Sequence, residues 1–254
     1  MPATEARRGA YTAPSLNSTA EIRMSEILSV TVPDGTFSAY VVRPARQPAP
    51  AVVVLQEIFG VNPDMRQTAD ELAALGFIAI CPDLFWRQAP NVQLSDKTDW
   101  DKAGKLYEAY DVNQGVLDIV ATVQAARTLP NATGKVGVVG FCLGGLMTFL
   151  TAARSGVDAA AGYYGGRTEQ FLSETPNVTA PMIMHFGTED EYISRDAQKA
   201  IKDSVAGMPN MEIFTYQGSA HAFSRHNGTK YDAAAAALAN GRTAGFFKTH
   251  LGLA

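Results

Sequence analysis

From Lys135 the chain reads KVGVVGFCLGGLMTFLTAA, a β-branched apolar run that passes within a few glycines into a helical period. Its centre, Gly140-Phe141-Cys142-Leu143-Gly144-Gly145, has the form G-x-nucleophile-x-G. Such a strand-to-helix reversal is tight enough that a Cβ two residues before or after the centre would clash, and the central side chain is pushed outward on strained backbone. The surrounding chain must supply a buried strand on one side of this turn and a packed helix on the other.

The rest of the sequence repeats that alternation. ILSVTV and SAYVVRP, separated by Pro33-Asp34-Gly35, predict an opening hairpin. AVVVLQ is almost continuously apolar, as expected of a strand buried on both faces of a parallel sheet. Asn62-Pro63-Asp64 starts a helix with Met65, Thr68, Ala69, Leu72 and Leu75 on one face and Gly76 as its stop. FIAICP, KVGVVGF, DAAAGYYG, PMIMHFG and MEIFTYQ are further strands, with helices over 113–129, 143–156, 194–206 and 232–251. Residues 83–108 are polar and predict a loop or lid ending in a short helix. The expected fold is a doubly wound α/β domain over 24–254, its sheet mostly parallel with helices on both faces, after a flexible leader over 1–23.

Composition narrows the function classes. Of 254 residues, 46% are hydrophobic and 18% charged, and the net charge is −4, without the basic stripe of a nucleic-acid binder. No stretch approaches a membrane span and the first residues lack a secretory h-region, so the expectation is a cytoplasmic protein without nucleic-acid or membrane partners. Sequons at Asn17, Asn131, Asn177 and Asn227 then carry no meaning; Arg7-Arg8 allows only a transit-peptide alternative to the plain leader. Two cysteines, Cys81 and Cys142, cannot form a disulfide framework and suit a reducing compartment.

The two cysteines have different settings. A thiol at a helix start gains from the positive end of the helix dipole, and the Leu143 N–H just after Cys142 can meet an oxyanion. Cys81, before Pro82 at a strand end, reads as core. A nucleophile needs a base and the base an orienter. His221, in a small-residue loop after MEIFTYQ, stands where open α/β sheets put their sites, with His226 as a fallback; His185 reads as a core histidine, and His250 lies near the terminus. Asp190, after MIMHFG, is the candidate acid, with Glu189 and Glu191 as neighbours left open. The order nucleophile, acid, base is that of α/β-hydrolases. No ligand spacing for a metal and no phosphate-loop ending is present, so neither cofactor nor metal is expected.

Over 24–251 the sequence resembles the dienelactone hydrolase (carboxymethylenebutenolidase) family of α/β-hydrolases. The resemblance rests on Gln56-Glu57-Ile58-Phe59-Gly60-Val61-Asn62, Cys81-Pro82-Asp83-Leu84, Arg87-Gln88-Ala89-Pro90, GFCLGG, Gly162-Tyr163-Tyr164-Gly165, the G-x-x-D at 187–190 and AHAFSR. It implies Cys142 as nucleophile, His221 as base, Asp190 as orienter and Glu57 as a fourth catalytic residue. In the family this Glu swings, once substrate binds, to take the thiol proton; before that, a carboxylate beside the thiol would keep it protonated. The Ile58 N–H would be the second oxyanion donor. Arg87 and Arg225 would bind a substrate carboxylate, with Tyr164, Phe59, Trp86 and Phe223 walling the pocket. The implied reaction opens a small anionic enol-lactone, dienelactone, to maleylacetate in the breakdown of aromatic compounds, by a monomer or weak homo-oligomer.

Two departures bear on that expectation. Ala222 follows His221 where related hydrolases often carry a Ser, and the leader has no counterpart. Ala222 and bulky Trp86 favour a broader carboxylesterase or thioesterase as the alternative enzyme. A binding protein with a relic site is the alternative outside catalysis.

Overall fold

The computed structural model describes residues 25–253; the expected leader lies outside them. An eight-stranded sheet carries β1 (Ser25–Val32), β2 (Gly35–Val42), β3 (Ala49–Leu55), β4 (Ile78–Pro82), β5 (Ala132–Phe141), β6 (Ala159–Tyr163), β7 (Met182–Gly187) and β8 (Met211–Tyr216) in the order β1-β2-β4-β3-β5-β6-β7-β8. The hairpin forms as its turn residues dictate, and β2 joins β4 antiparallel; every later pairing is parallel. All seven residues of β3 are buried, which is why its sequence does not alternate. Burying each Val or Leu side chain there contributes about 1.5–3 kcal/mol.

Between the strands run α1 (Pro63–Ala74), α2 (Trp100–Glu108), α3 (Val112–Arg127), α4 (Leu143–Arg154) and α5 (Arg195–Val205), and α6 (Ala233–Leu251) follows β8. Asn62 caps α1 through its side-chain oxygen, which accepts the Met65 N–H at 3.2 Å. Ser194 caps α5 in the same way. The segment 83–108 becomes a loop followed by α2, and a 3₁₀ run over Thr168–Asn177, not anticipated from the sequence, follows β6. Pro176 and the kink at Phe171 leave that run no sustained 3.6-residue period by which sequence could find it.

Register decides where the site falls. Leu55 pairs with Gly140, Phe141 with Tyr163, Tyr163 with His185, and Gly187 with Tyr216. The carboxyl ends of β3, β5, β6, β7 and β8 therefore line up, and the residues just after them (Glu57, Cys142, Tyr164, Asp190 and His221) emerge along one edge.

Candidate active site

The β5–α4 turn shows why its glycines are fixed. A Cβ on Gly140 would lie 2.1 Å from the Gly144 carbonyl oxygen, and one on Gly144 would lie 2.3 Å from that of Leu55. Cys142 itself sits at φ 54°, ψ −112°, in sterically disfavoured territory for a side-chain-bearing residue. Tyr164 (φ 37°) and Ala222 (φ 57°) share positive φ, so backbone strain collects on this edge. The Gly144 N–H donates to Gln56 O at 3.1 Å, which lashes the start of α4 to the end of β3 and brings residues 56–58 beside the nucleophile turn. Leu143 opens α4, so its N–H has no carbonyl one turn behind it to bond.

His221 connects to both partners. Its Nδ1 lies 2.8 Å from Asp190 Oδ2, and the Cys142 sulfur acts on the ring electrostatically. Burial would lower the imidazole pKa; the Cys142 sulfur and the Asp190 carboxylate outweigh it and raise it to about 10. Asp190 is held in turn, since its Oδ1 accepts the N–H groups of Tyr192 at 2.9 Å and Ile193 at 3.0 Å. Of the flanking acids, Glu189 points outward to Arg195, while Glu191 accepts the His221 backbone N–H at 3.1 Å. Thiol, imidazole and carboxylate thus emerge on one edge of the sheet, an arrangement able to activate a thiol for attack on an acyl carbon.

Glu57 and Arg225 form a second connected pair: Arg225 Nε donates to Glu57 Oε2 at 2.5 Å and its Nη1 reaches Asp96 at 3.2 Å. Burial raises the Glu57 carboxyl above its ordinary range, with the Arg225 charge pulling against it. The charged partner of Glu57 is thus Arg225, reached across the loop after β8.

The sequence profile of the dienelactone hydrolase family matches residues 37–251. The chain belongs to the dienelactone hydrolase family. It is similar to the carboxymethylenebutenolidase of Pseudomonas putida, 42% identical over 226 residues that cover 88% of this chain and 96% of that one. It is also similar to carboxymethylenebutenolidase 1 of Cupriavidus pinatubonensis, 39% identical over 82% of this chain and 90% of the other. The crystal structure of a candidate dienelactone hydrolase from Klebsiella pneumoniae superposes with a TM-score of 0.79 at 25% identity, over 88% of this chain and 98% of that one. The fold is accordingly that of an α/β-hydrolase, and the chain is a hydrolase of carboxylic esters or lactones.

Within this dienelactone hydrolase fold, several residues expected on the substrate lie elsewhere. Arg87 gives its donors to two carboxylates, bonding Asp34 Oδ2 at 2.8 Å and Asp118 through Nη1. It also stacks on Trp86, whose Nε1 donates to Asp118 at 3.0 Å and whose ring lies on Phe37. Asp34 leads into β2, three places from β5 in the sheet, a separation of roughly 14 Å at 4.8 Å per strand. Arg87 and Trp86 fasten the opening hairpin to α3. Phe223 is fully buried against Tyr163, Tyr164 and Tyr216 and is core rather than pocket wall. Tyr164 is equally buried, with its ring 5.0 Å from that of His221 and its hydroxyl 2.9 Å from Ser224. Phe59, also buried, lies beneath Arg225 with its ring centre 4.9 Å from the guanidinium carbon.

The accessible aromatics are others. Tyr192, 63% exposed, stands edge-on to His221 at 4.9 Å, and Trp100, 43% exposed, edge-on to Phe59 at 5.1 Å. Tyr107, seven residues after Trp100 on the same face of α2, has its ring centre 5.8 Å from the Arg167 guanidinium carbon. Only the aromatic character of 100 and 107 within a polar segment could have flagged that pair. An open groove of about 470 Å³, lined in part by Asn62, Asp64, Asp96, Arg225 and His226, adjoins the Arg225 side.

The remaining histidines and Cys81 have structural partners. His185 is buried between Tyr216 and Thr243, its pKa lowered to about 3 by burial. His226 bridges Asp64 and Glu71. Burial pushes the Cys81 thiol up to about 12. No helix among the described residues is long and apolar enough to cross a membrane.

Proposed function

We propose that the protein opens an anionic enol-lactone, converting dienelactone to maleylacetate, with Cys142 as nucleophile, His221 as base and Asp190 as orienter. The observation that carries this reading is the His221 ring bonded to Asp190 at 2.8 Å on the same sheet edge as the strained Cys142 turn. The Cys142 sulfur forms a bond to the lactone carbonyl carbon while the N–H groups of Leu143 and Ile58 receive the oxyanion. The ring C–O bond then breaks, leaving a thioester and an enolate. Water, relieved of a proton by His221 or by the enolate itself, adds to the thioester; the S–C bond breaks and the new carboxylate departs.

Glu57 supplies the trigger. A substrate carboxylate arriving at Arg225 competes for the guanidinium and frees Glu57 to take the thiol proton, as the family resemblance implies. Cys142→Ser tests the reading: dienelactone turnover should fall by about 10²-fold or more, and wild-type turnover would overturn it. A broader esterase on the same scaffold is favoured by one observation, the occupation of Arg87 by Asp34 and Asp118. Comparing kcat/KM on dienelactone with that on 4-nitrophenyl acetate separates the two, since a carboxylate-tuned site prefers the anion. The lactone's source in aromatic breakdown and a cytoplasmic location belong to this same proposal.

A further inference from the structure

The expected second arginine is occupied elsewhere, yet a different cation, Arg167, lies on a loop packed against the first turn of α4. Arg167 follows Gly165-Gly166 directly after β6 and adopts φ 67°, ψ 2°, a left-handed conformation disfavoured for a side-chain-bearing residue. The loop that carries it is pressed onto the first turn of α4: a Cβ on Gly165 would lie 2.7 Å from Gly145 C and Leu146 N. The Arg167 guanidinium carbon lies 5.8 Å from the Tyr107 ring centre. Burial raises the Tyr107 phenol above its ordinary value; the Arg167 guanidinium opposes that and the Cys142 sulfur adds to it.

Charge pairing distinguishes the cations. Arg225 is engaged by Glu57 and Asp96, and Arg87 by Asp34 and Asp118. Arg167 has no ion-pair partner within 4.0 Å among the described residues; its side-chain contacts are the Tyr107 ring and a long 3.4 Å approach to Gln170 Oε1. The nearby carboxylate, Glu169, acts on Tyr107 without closing on the guanidinium. Arg225 and Arg167 stand at the two ends of α2, one through Phe59 and Trp100, the other through Tyr107. Seven helical residues separate those ends by about 10 Å. Cys142 caps α4, so the packing of the Gly165 loop on Gly145 and Leu146 sets the Arg167 loop beside the Cys142 turn.

Hydrolysis of a lactone that already bears a carboxylate produces a second carboxylate, from the former carbonyl carbon and an oxygen of water. We propose that Arg167, with the Tyr107 hydroxyl, is a second carboxylate subsite, so that the cleft binds short dicarboxylates end to end between Arg225 and Arg167. The proposal rests on the lactone-opening reading for its substrate, while the subsite itself is read by binding alone. A guanidinium can take a carboxylate through two parallel donors, and a roof of two aromatic rings suits the short carbon chain between the charges.

Calorimetric titration of the full-length protein with adipate and with hexanoate tests this without any turnover. The wild type should bind adipate at least roughly tenfold more tightly than hexanoate. Arg167→Met should bring that ratio close to one, and Arg167→Lys, which keeps the charge but not the fork, should keep part of it. An adipate preference unchanged in Arg167→Met, or absent from the wild type, overturns the subsite. Melting midpoints establish that each variant is folded; if Arg167→Met is not, an Arg167→Lys ratio equal to that of the wild type overturns it instead. Failure to open dienelactone, measured separately, would remove the lactone reading and leave the dicarboxylate ratio to stand or fall alone.

Discussion

The Arg225 guanidinium and the Glu57 carboxylate meet at 2.5 Å across 168 residues of sequence, both buried. The second Glu57 oxygen, Oε1, is also buried and has no hydrogen-bond partner among the described residues. The carboxylate is thus neutralised on one side and unsatisfied on the other, an arrangement that favours exchange of partners when an anion competes for Arg225.

Removing the cation alone leaves Glu57 buried without its charge partner. Arg225→Met should lower unfolding free energy by about 3–5 kcal/mol at pH 7. Burial already raises the Glu57 pKa, and loss of Arg225 raises it further. A carboxyl whose folded pKa lies above its unfolded value of about 4.3 destabilises increasingly as pH rises past that value, so the deficit should shrink at pH 4.5. Urea unfolding at the two pH values reads the difference; equal deficits would show that Arg225 acts by packing alone.

The two cysteines should label differently. Cys142 is partly accessible at the edge of the sheet, whereas Cys81 is buried with its pKa pushed up to about 12. Iodoacetamide on native protein should add one carbamidomethyl group, at Cys142, and a second only in denaturant, as read by intact mass and peptide mapping. Native labelling of Cys81 would contradict its burial.

Asp190→Asn should keep the two backbone N–H contacts while replacing the acceptor on His221 Nδ1 with a group that can donate, which favours the wrong tautomer. Loss of kcat on the order of 10²–10⁴ is expected, with the His221 titration, followed by NMR, moving down from about 10. An unshifted titration would mean Asp190 does not orient the ring.

His226 contributes to stability over a defined pH range. Its ion pairs with Asp64 and Glu71 raise its pKa to about 9, above the unfolded value of about 6.5. The contribution of a base raised in this way is fully present below about pH 6.5 and is lost as pH climbs through about 9. Thermal melts of His226→Gln should therefore fall below wild type at pH 6 and converge with it near pH 10. A pH-independent gap would assign the effect to packing.

Local rules made the strands, helix starts and nucleophile turn legible, because the constraint at each lies within a few residues. The glycines at 140 and 144 meet backbone atoms of their own turn or of the strand beside it, and any longer side chain would be excluded whatever the rest of the fold did. The candidate residues Cys142, Asp190 and His221 were legible for a related reason: each follows a recognisable strand, and parallel strands share a carboxyl edge.

The roles of the arginines and aromatics depended on distant partners. Nothing near Arg87 in sequence indicates that Asp34 and Asp118, 53 and 31 residues away, will take its donors. Nor does a polar stretch reveal that Trp100 will meet Phe59 and Tyr107 will meet Arg167 while Phe223 is turned into the core. The sequence by itself determined the α/β alternation, the strained cysteine turn and the order of the candidate nucleophile, acid and base, since periodicity and steric exclusion act locally. The tertiary structure decided which charges pair and which are left open, Glu57 with Arg225 and Arg167 with neither, because electrostatic partners are chosen by distance in space across a folded sheet.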